Sequence, residues 1–121
     1  MNSLELAKLA AQILDKKKAD KIDVIKISDV TILSDYFVIA SASNTTHVRA
    51  LADELDFELK KLGRSPQRIE GYQSANWIIL DYLDVVVHVF YEETRHYYNL
   101  EKLWSDGVKM DVAELLKQTA E

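Results

Sequence analysis

The sequence predicts an α/β fold organised as a single domain, and three observations support this class. Segments with apolar residues at three- and four-residue steps alternate with β-branched runs that are typical of strands. The length of 121 residues and the hydrophobic content of 48% suit one domain with its own core. One proline, Pro66, and three glycines leave no visible linker, repeat or low-complexity stretch.

The first element is predicted to be a helix over residues 3–18, with Ser3 as its N-cap. Two β-branched runs, 22–27 and 36–42, then predict strands that are separated by a loop over residues 28–35. The apolar residues of the helix recur at helical spacing: Leu4, Ala7, Ala10, Ala11 and Leu14, widened by Leu6, Leu9 and Ile13.

The second helix has the clearest periodicity of the chain. Asn44 or Thr45 is expected to cap its start, and Gly63 can adopt the left-handed conformation that ends it. A turn through Pro66 and a short strand near residues 67–70 follow. The apolar stripe of the helix is Val48, Leu51, Ala52, Leu55, Leu59 and Leu62.

A β-hairpin is predicted from residues 77–81 and 84–91, joined by a turn at Tyr82 and Leu83. A two-residue turn would pair Ile79 with Val86 and Trp77 with His88. Because side chains alternate along a strand, each face can be read from the sequence. One face is purely aliphatic: Ile78, Leu80, Val85, Val87 and Val89. The other carries Trp77, Ile79, Asp81, Asp84, Val86, His88 and Phe90.

That second face mixes large aromatic residues with carboxylates and an imidazole. Such a mixture suits a protein–protein contact, in which aromatic anchors lie inside a polar rim. The alternative is that a helix covers the face and that His88 is a hydrogen-bonded core residue. The pattern leaves both interpretations open.

The C-terminal third is predicted to be helical in short pieces. Leu100, Leu103 and Trp104 fall on one side of a helical turn, which predicts core positions. A turn at residues 106–107 precedes a last helix that contains Leu115 and Leu116. Asp111 and Glu114 have the spacing of a capping box at its start.

Composition excludes several functional classes. The net charge of −5 and the pI near 5.2 argue against a protein that follows nucleic-acid phosphates. The run Lys16–Lys18 instead suits the negative end of a helix dipole.

We expect a cytoplasmic protein, because no apolar run is long enough to cross a membrane and no signal-peptide pattern is present. The absence of cysteine excludes a disulfide framework and a thiolate site.

The sequence offers little support for catalysis. Asp81, Asp84 and His88 could suggest a metal site or a general base, but carboxylates across a tight turn are commonly solvated. No further convincing ligand is fixed nearby, since His96 lies past the strand. The glycines are too far apart for a phosphate loop, and the G-x-S-x-G pattern is absent. Arg95 lies among Glu92 and Glu93, which favours a structural ion pair. We therefore expect no catalytic residue, cofactor or metal.

Four ordered blocks, spread over about residues 4–105, resemble the ribosomal silencing factor family, also called the Iojap-type family. The first block is Asp35-Tyr36-Phe37-Val38-Ile39-Ala40-Ser41. The second is Glu70-Gly71 with Trp77-Ile78-Ile79-Leu80-Asp81-Tyr82. The third is Asp84-Val85-Val86-Val87-His88-Val89-Phe90, and the fourth comprises Arg95, Tyr98, Leu100, Glu101, Leu103 and Trp104. The helical tail over residues 106–121 carries no signature. Two departures occur, since the family usually has glycine at the positions of Ala42 and Leu83.

The resemblance implies a mixed sheet of about five strands flanked by helices, similar to nucleotidyltransferases. It also implies binding to the large ribosomal subunit through ribosomal protein fourteen, which blocks the small subunit and lowers translation when nutrients are scarce. We expect the partner-binding residues to be Trp77, Ile79, Asp81, Tyr82, Leu83, Asp84, Val86, His88 and Phe90. A homodimer that competes with ribosome binding is compatible with this family.

The second hypothesis is a small nucleotidyltransferase-like enzyme that uses Asp81, Asp84 and His88. Such catalysis would require a Gly-Ser pair and a D-x-[DE] metal motif. The chain has no Gly-Ser, and Asp81 and Asp84 are one residue too far apart. Likeness of fold therefore does not imply enzyme activity.

Overall fold

The computed structural model describes residues 1–28, 34–98 and 107–117. Within these ranges the helices are α1 (Ser3–Lys16), α2 (Thr45–Lys61), α3 (Glu92–Tyr98) and α4 (Val112–Lys117). The strands are β1 (Asp20–Lys26), β2 (Tyr36–Ala42), β3 (Arg68–Glu70), β4 (Trp77–Asp81), β5 (Val85–Tyr91) and β6 (Val108–Lys109). The α/β prediction is confirmed. The predicted helical turn with Leu100, Leu103 and Trp104 lies outside the described residues, as does most of the 28–35 loop.

The strands form one mixed sheet in the order β3-β4-β5-β2-β1-β6. The central pair, β2 and β5, is parallel, and the other neighbouring pairs are antiparallel. Over the described ranges the sheet has six strands rather than about five, because Val108 and Lys109 pair with Lys26 and Ile25 at the β1 edge. This two-residue strand is too short to give a period-2 pattern in the sequence.

The ends of the two long helices are fixed by local hydrogen bonds. In α1 the N-cap is Asn2 rather than the expected Ser3: Asn2 Oδ1 accepts from the Glu5 N–H at 2.8 Å. The helix ends at Lys16, before residue 18, because Lys18 adopts a left-handed φ of 68°. In α2, Asn44 Oδ1 accepts from the His47 N–H at 2.8 Å, which confirms one of the two expected caps.

The C-terminus of α2 ends as the sequence predicts. Gly63 has a φ of 82°, and its N–H donates to the Lys60 carbonyl at 3.0 Å. The Arg64 N–H donates to the Leu59 carbonyl at 2.9 Å, which completes a Schellman motif. Leu62 was expected in the apolar stripe, but it is exposed, because this motif turns the chain away from the sheet there.

One face of the sheet, called here the aliphatic face, carries the main core. Apolar residues of α1, α2 and α4 pack on it against Val38, Ala40, Val85, Val87 and Val89. The predicted aliphatic side of the hairpin is confirmed, since all five of its residues are fully buried. Ala42 also belongs to this core, so its methyl group is accommodated there. None of the helices in the described ranges has the length and apolar character needed to cross a membrane.

Candidate functional site: the aromatic face of the hairpin

The opposite side of the sheet, called here the aromatic face, carries a second and smaller cluster. Ile25, Ile27, Ile39 and Phe90 are its buried centre, and Phe37 and Trp77 pack against them while remaining partly exposed. Ile79, Asp81 and Val86 share this face and are also partly exposed. The aromatic face therefore combines a buried apolar base with partly exposed aromatic, aliphatic and acidic residues.

The hairpin that forms this face has a different register from the predicted one. Trp77 pairs with Phe90, Ile79 with His88 and Asp81 with Val86, which is a slip of two residues. The cause is Asp84, which belongs to the turn rather than to the strand. Its carbonyl accepts hydrogen bonds from the Asp35 N–H at 2.8 Å and the Ser34 hydroxyl at 3.0 Å. A slip of two residues keeps every side chain on its predicted face.

His88 and Trp77 form a hydrogen-bonded pair at the centre of this face. The Trp77 indole Nε1–H donates to His88 Nδ1 at 3.0 Å. The indole also stacks on Phe90 with a centroid distance of 5.0 Å, and Phe37 meets the imidazole edge-on at 4.7 Å. Since Nδ1 accepts a hydrogen bond from the indole N–H, the ring proton of neutral His88 lies on Nε2.

His88 is held neutral by its surroundings. Burial lowers the pKa of His88 from 6.5 to about 4, and the nearby Asp81 carboxylate opposes this shift only in part. Among the described residues, its Nε2 has no hydrogen-bond partner. His88 is thus a buried residue that is hydrogen-bonded through Nδ1, as the alternative interpretation of this face proposed for it. A charged imidazole would lose the indole bond, because both of its nitrogens would then be donors.

The two carboxylates of the hairpin are held by arginines. Asp84 Oδ1 lies 2.9 Å from an Arg64 guanidinium nitrogen, and Asp81 Oδ2 lies 3.3 Å from Arg68. Asp81 Oδ1 also accepts from the Leu83 N–H at 2.8 Å. Over the described ranges, no group of three or more histidine and acidic side chains is arranged to hold a metal ion. The set of Asp81, Asp84 and His88 is therefore engaged in structural contacts rather than directed at a common ligand.

The expected contact residues differ in how much surface they offer. Tyr82, His88 and Phe90 are buried, and Tyr82 packs into the aliphatic core, where burial raises the pKa of its hydroxyl. Leu83 is the most exposed of the set. The members that retain accessible surface are Trp77, Ile79, Asp81, Leu83, Asp84 and Val86.

The C-terminal helix α4 does not cover the aromatic face. Leu115 packs in the aliphatic core, and its carbonyl accepts from the Gln12 side chain at 3.1 Å, which places α4 against α1. The Asp111 side chain caps α4 by accepting from the Glu114 N–H at 3.2 Å, as half of the expected capping box. An interpretation in which this helix shields Trp77 is therefore wrong.

A bend shapes the approach to β4. Gly71 has a φ of 78°, and a Cβ built on it would lie 2.1 Å from the Trp77 carbonyl oxygen. Glycine at residue 71 is therefore required on steric grounds, since a side chain there would displace the strand that carries Trp77.

A polar cluster lies on the aromatic face at the end remote from the β4–β5 turn, and the sequence predicted only part of it. Arg95 is buried, and its guanidinium donates to Asp23 Oδ2 at 2.7 Å, to Ser41 Oγ at 3.2 Å and to the Lys21 carbonyl. A structural ion pair was predicted, but with Glu92 and Glu93. The actual partner, Asp23, is distant in sequence, so proximity along the chain could not identify it.

Comparisons with known proteins agree with this architecture. The family described as "Ribosomal silencing factor during starvation" matches residues 1–121. The ribosomal silencing factor of Bacillus subtilis is 37% identical over 112 residues, which cover 93% of this chain and 95% of that protein. The corresponding protein of Halalkalibacterium halodurans is 38% identical over 112 residues, or 93% of this chain and 96% of its relative.

A solved structure and a more distant relative extend the likeness. A crystal structure of a Chromobacterium violaceum protein superposes with a TM-score of 0.84 at 34% identity, covering 87% of this chain and 88% of that one. The mouse protein named "Mitochondrial assembly of ribosomal large subunit protein 1" is 35% identical over 100 residues, covering 80% of this chain and 44% of that protein. Since the family matches from end to end and near-full-length relatives exceed one third identity, the chain belongs to the ribosomal silencing factor family.

Proposed function

We propose that this chain represses translation by binding the large ribosomal subunit with its aromatic face and so blocking attachment of the small subunit. The family resemblance implies ribosomal protein fourteen as the contact and nutrient limitation as the circumstance, and we include both in the proposal. The action is steric, takes place in the cytoplasm and requires no catalytic residue.

The observation that carries this proposal is the composition and exposure of the aromatic face. Trp77, Ile79 and Val86 are partly exposed on the side of the sheet opposite α1, α2 and α4. A tryptophan that rests on a buried aromatic base and is flanked by charged residues is typical of an interface centre. The hydrogen bond to His88 fixes the indole before binding, which reduces the entropy lost on association.

The same face supports a proposal for self-association. An apolar surface centred on Trp77 would be covered most simply by the same surface of a second copy across a two-fold axis. Such a homodimer would compete with the ribosome, because both partners would require Trp77. The ribosome-bound form would then be a monomer.

Co-sedimentation with isolated large subunits tests the main proposal. Wild-type protein should pellet with the subunits, and Trp77→Ala should weaken binding by roughly thirtyfold, as expected when a central aromatic anchor is truncated. Phe57→Ala is the matched control. Phe57 is 59% exposed on α2, the helix on the opposite side of the sheet, so its loss should leave binding unchanged.

Further measurements separate binding from its mechanism. Thermal unfolding of Trp77→Ala checks that the sheet persists, since the indole also packs on Phe90. Purified ribosomal protein fourteen in place of the subunit tests the identity of the partner, and light scattering of mixed subunits tests the block on joining. Wild-type protein that stays in the supernatant, or equal binding by the Trp77 and Phe57 variants, would contradict the proposal.

A further inference from the structure

The tip of the β4–β5 hairpin holds a leucine in a backbone conformation that leucine rarely adopts. Leu83 has a φ of 75°, and its side chain is the most exposed large hydrophobic group described, at 61%. The Asp84 N–H donates to the Tyr82 carbonyl at 3.0 Å across this residue. This hydrogen bond and the positive φ define the strained form of the γ-turn. A Cβ at positive φ is unfavourable, so this backbone position favours glycine.

The contacts on either side of Leu83 maintain the strain. Tyr82 is buried in the aliphatic core, and its N–H donates to the Val85 carbonyl at 2.9 Å. Asp84 is held by Arg64 through its side chain and by β2 through its carbonyl. Strained backbone persists only where its surroundings over-determine it, and such positions concentrate at functional sites.

The position of Leu83 ties it to the aromatic face. Its N–H donates to Asp81 Oδ1, a carboxylate of that face, at 2.8 Å. Leu83 therefore lies at the hairpin end of the face, next to Asp81. Among the described residues, an exposed leucine at a position that favours glycine adds nothing to folding or packing.

We propose that Leu83 is a specificity-determining contact at the hairpin end of the aromatic face, inserting its side chain into an apolar recess of the large-subunit protein that this face binds. This inference rests on the proposed function. The contacts of Tyr82 and Asp84 hold the strained leucine in the isolated protein, and its side chain contributes affinity in the complex. Substitution should therefore change stability and affinity in opposite directions, which a purely structural residue would not do.

Leu83→Gly tests this by two measurements on the full chain. Its melting temperature should rise by a few degrees, because glycine adopts positive φ without steric cost. Its affinity for isolated large subunits should fall about tenfold, the effect expected when a well-buried leucine side chain is lost from an interface. Leu83→Met, which keeps an apolar side chain, should bind like wild type. Leu83→Asn, which tolerates positive φ but is polar, should bind like Leu83→Gly.

Leu62→Asn is the matched surface control. Leu62 is 56% exposed at the end of α2, where φ is −97°, so its replacement should change neither binding nor the strain. A Leu83→Gly protein that gains stability and keeps wild-type affinity would overturn the inference while leaving the proposed function standing. Failure of wild-type protein to bind the subunits would overturn both.

Discussion

At the scale of single residues, the ionisation of His88 makes the stability of the folded protein depend on pH. Its Nδ1 accepts a hydrogen bond from the Trp77 indole N–H, and burial lowers its pKa to about 4. In the unfolded chain the pKa returns to its ordinary value of about 6.5. The unfolded state therefore binds the proton more readily between these two values, and stability falls as the pH decreases through that window.

We expect the free energy of unfolding to decrease by about 2 kcal/mol between pH 7 and pH 5 from this residue alone. Urea titrations across that range measure the change. His88→Gln removes the titrating group, so this variant, although less stable at neutral pH, should show a flatter profile. A wild-type stability that does not change between pH 7 and pH 5 would mean that His88 titrates normally in the folded protein.

The two left-handed glycines provide a second residue-scale prediction. Gly63 and Gly71 have similar φ values, 82° and 78°, but a Cβ meets nothing within 4 Å at Gly63 and lies 2.1 Å from the Trp77 carbonyl oxygen at Gly71. Gly63→Ala should cost about 1 kcal/mol for backbone strain alone. Gly71→Ala should cost about 2–4 kcal/mol, because the main chain of β4 must also move. Equal losses in thermal or urea unfolding would contradict the close approach.

At the scale of secondary-structure elements, one buried guanidinium joins α3 to the sheet. Arg95 is 7% exposed and bonds to Asp23 of β1 and to Ser41 of β2. Arg95→Met should cost about 3 kcal/mol, since it leaves the Asp23 carboxylate without its nearest cation. Arg68→Met removes an ion pair of a side chain that is 64% exposed and should cost less than about 1 kcal/mol. Chemical denaturation of both variants provides the comparison, and similar losses would show that Arg95 does not anchor α3.

The sequence predicted those elements whose determinants are local. The end of α2 depends on Gly63 and its nearest neighbours, so residue type was sufficient. The faces of the hairpin depend only on the alternation of side chains along each strand. Their assignment is therefore correct although the predicted register is wrong by two residues. That error arose because Asp84 bonds to β2, a contact that no local pattern encodes. The β6 strand and the pairing of Arg95 with Asp23 were missed for the same reason.

The candidate site was predictable in composition but not in accessibility. Alternation placed Trp77, Ile79, Val86, His88 and Phe90 on one face, as the structure has them. It could not show that His88 and Phe90 are buried, because their burial depends on Trp77 and on residues of neighbouring strands. Nor could it show that Leu83 keeps a glycine-like conformation.

At the scale of the whole molecule, the proposed homodimer makes a quantitative prediction. If Trp77 lies at the dimer interface, wild-type protein should be mainly dimeric at high micromolar concentration, and Trp77→Ala should be monomeric. Analytical ultracentrifugation distinguishes the two states. The Phe57→Ala variant should remain dimeric, because the ring that it removes lies on α2, away from the aromatic face. A monomeric wild-type protein would exclude the dimer, and a dimer that Trp77→Ala does not disrupt would assign it to another surface.

The parallel pairing of β2 with β5 has a consequence for the order in which the chain folds. Tyr36 pairs with Val85 and Ala42 with Tyr91, so the two central strands meet only after α2, β3 and β4 have been enclosed between them. Closing so long a loop costs entropy before any contact compensates for it, which makes this pairing slow. The β4–β5 hairpin is local and can form first. Its aromatic side then lacks Phe37 and Ile39 of β2 until the central strands join, so the surface around Trp77 and His88 is completed among the last parts of the protein.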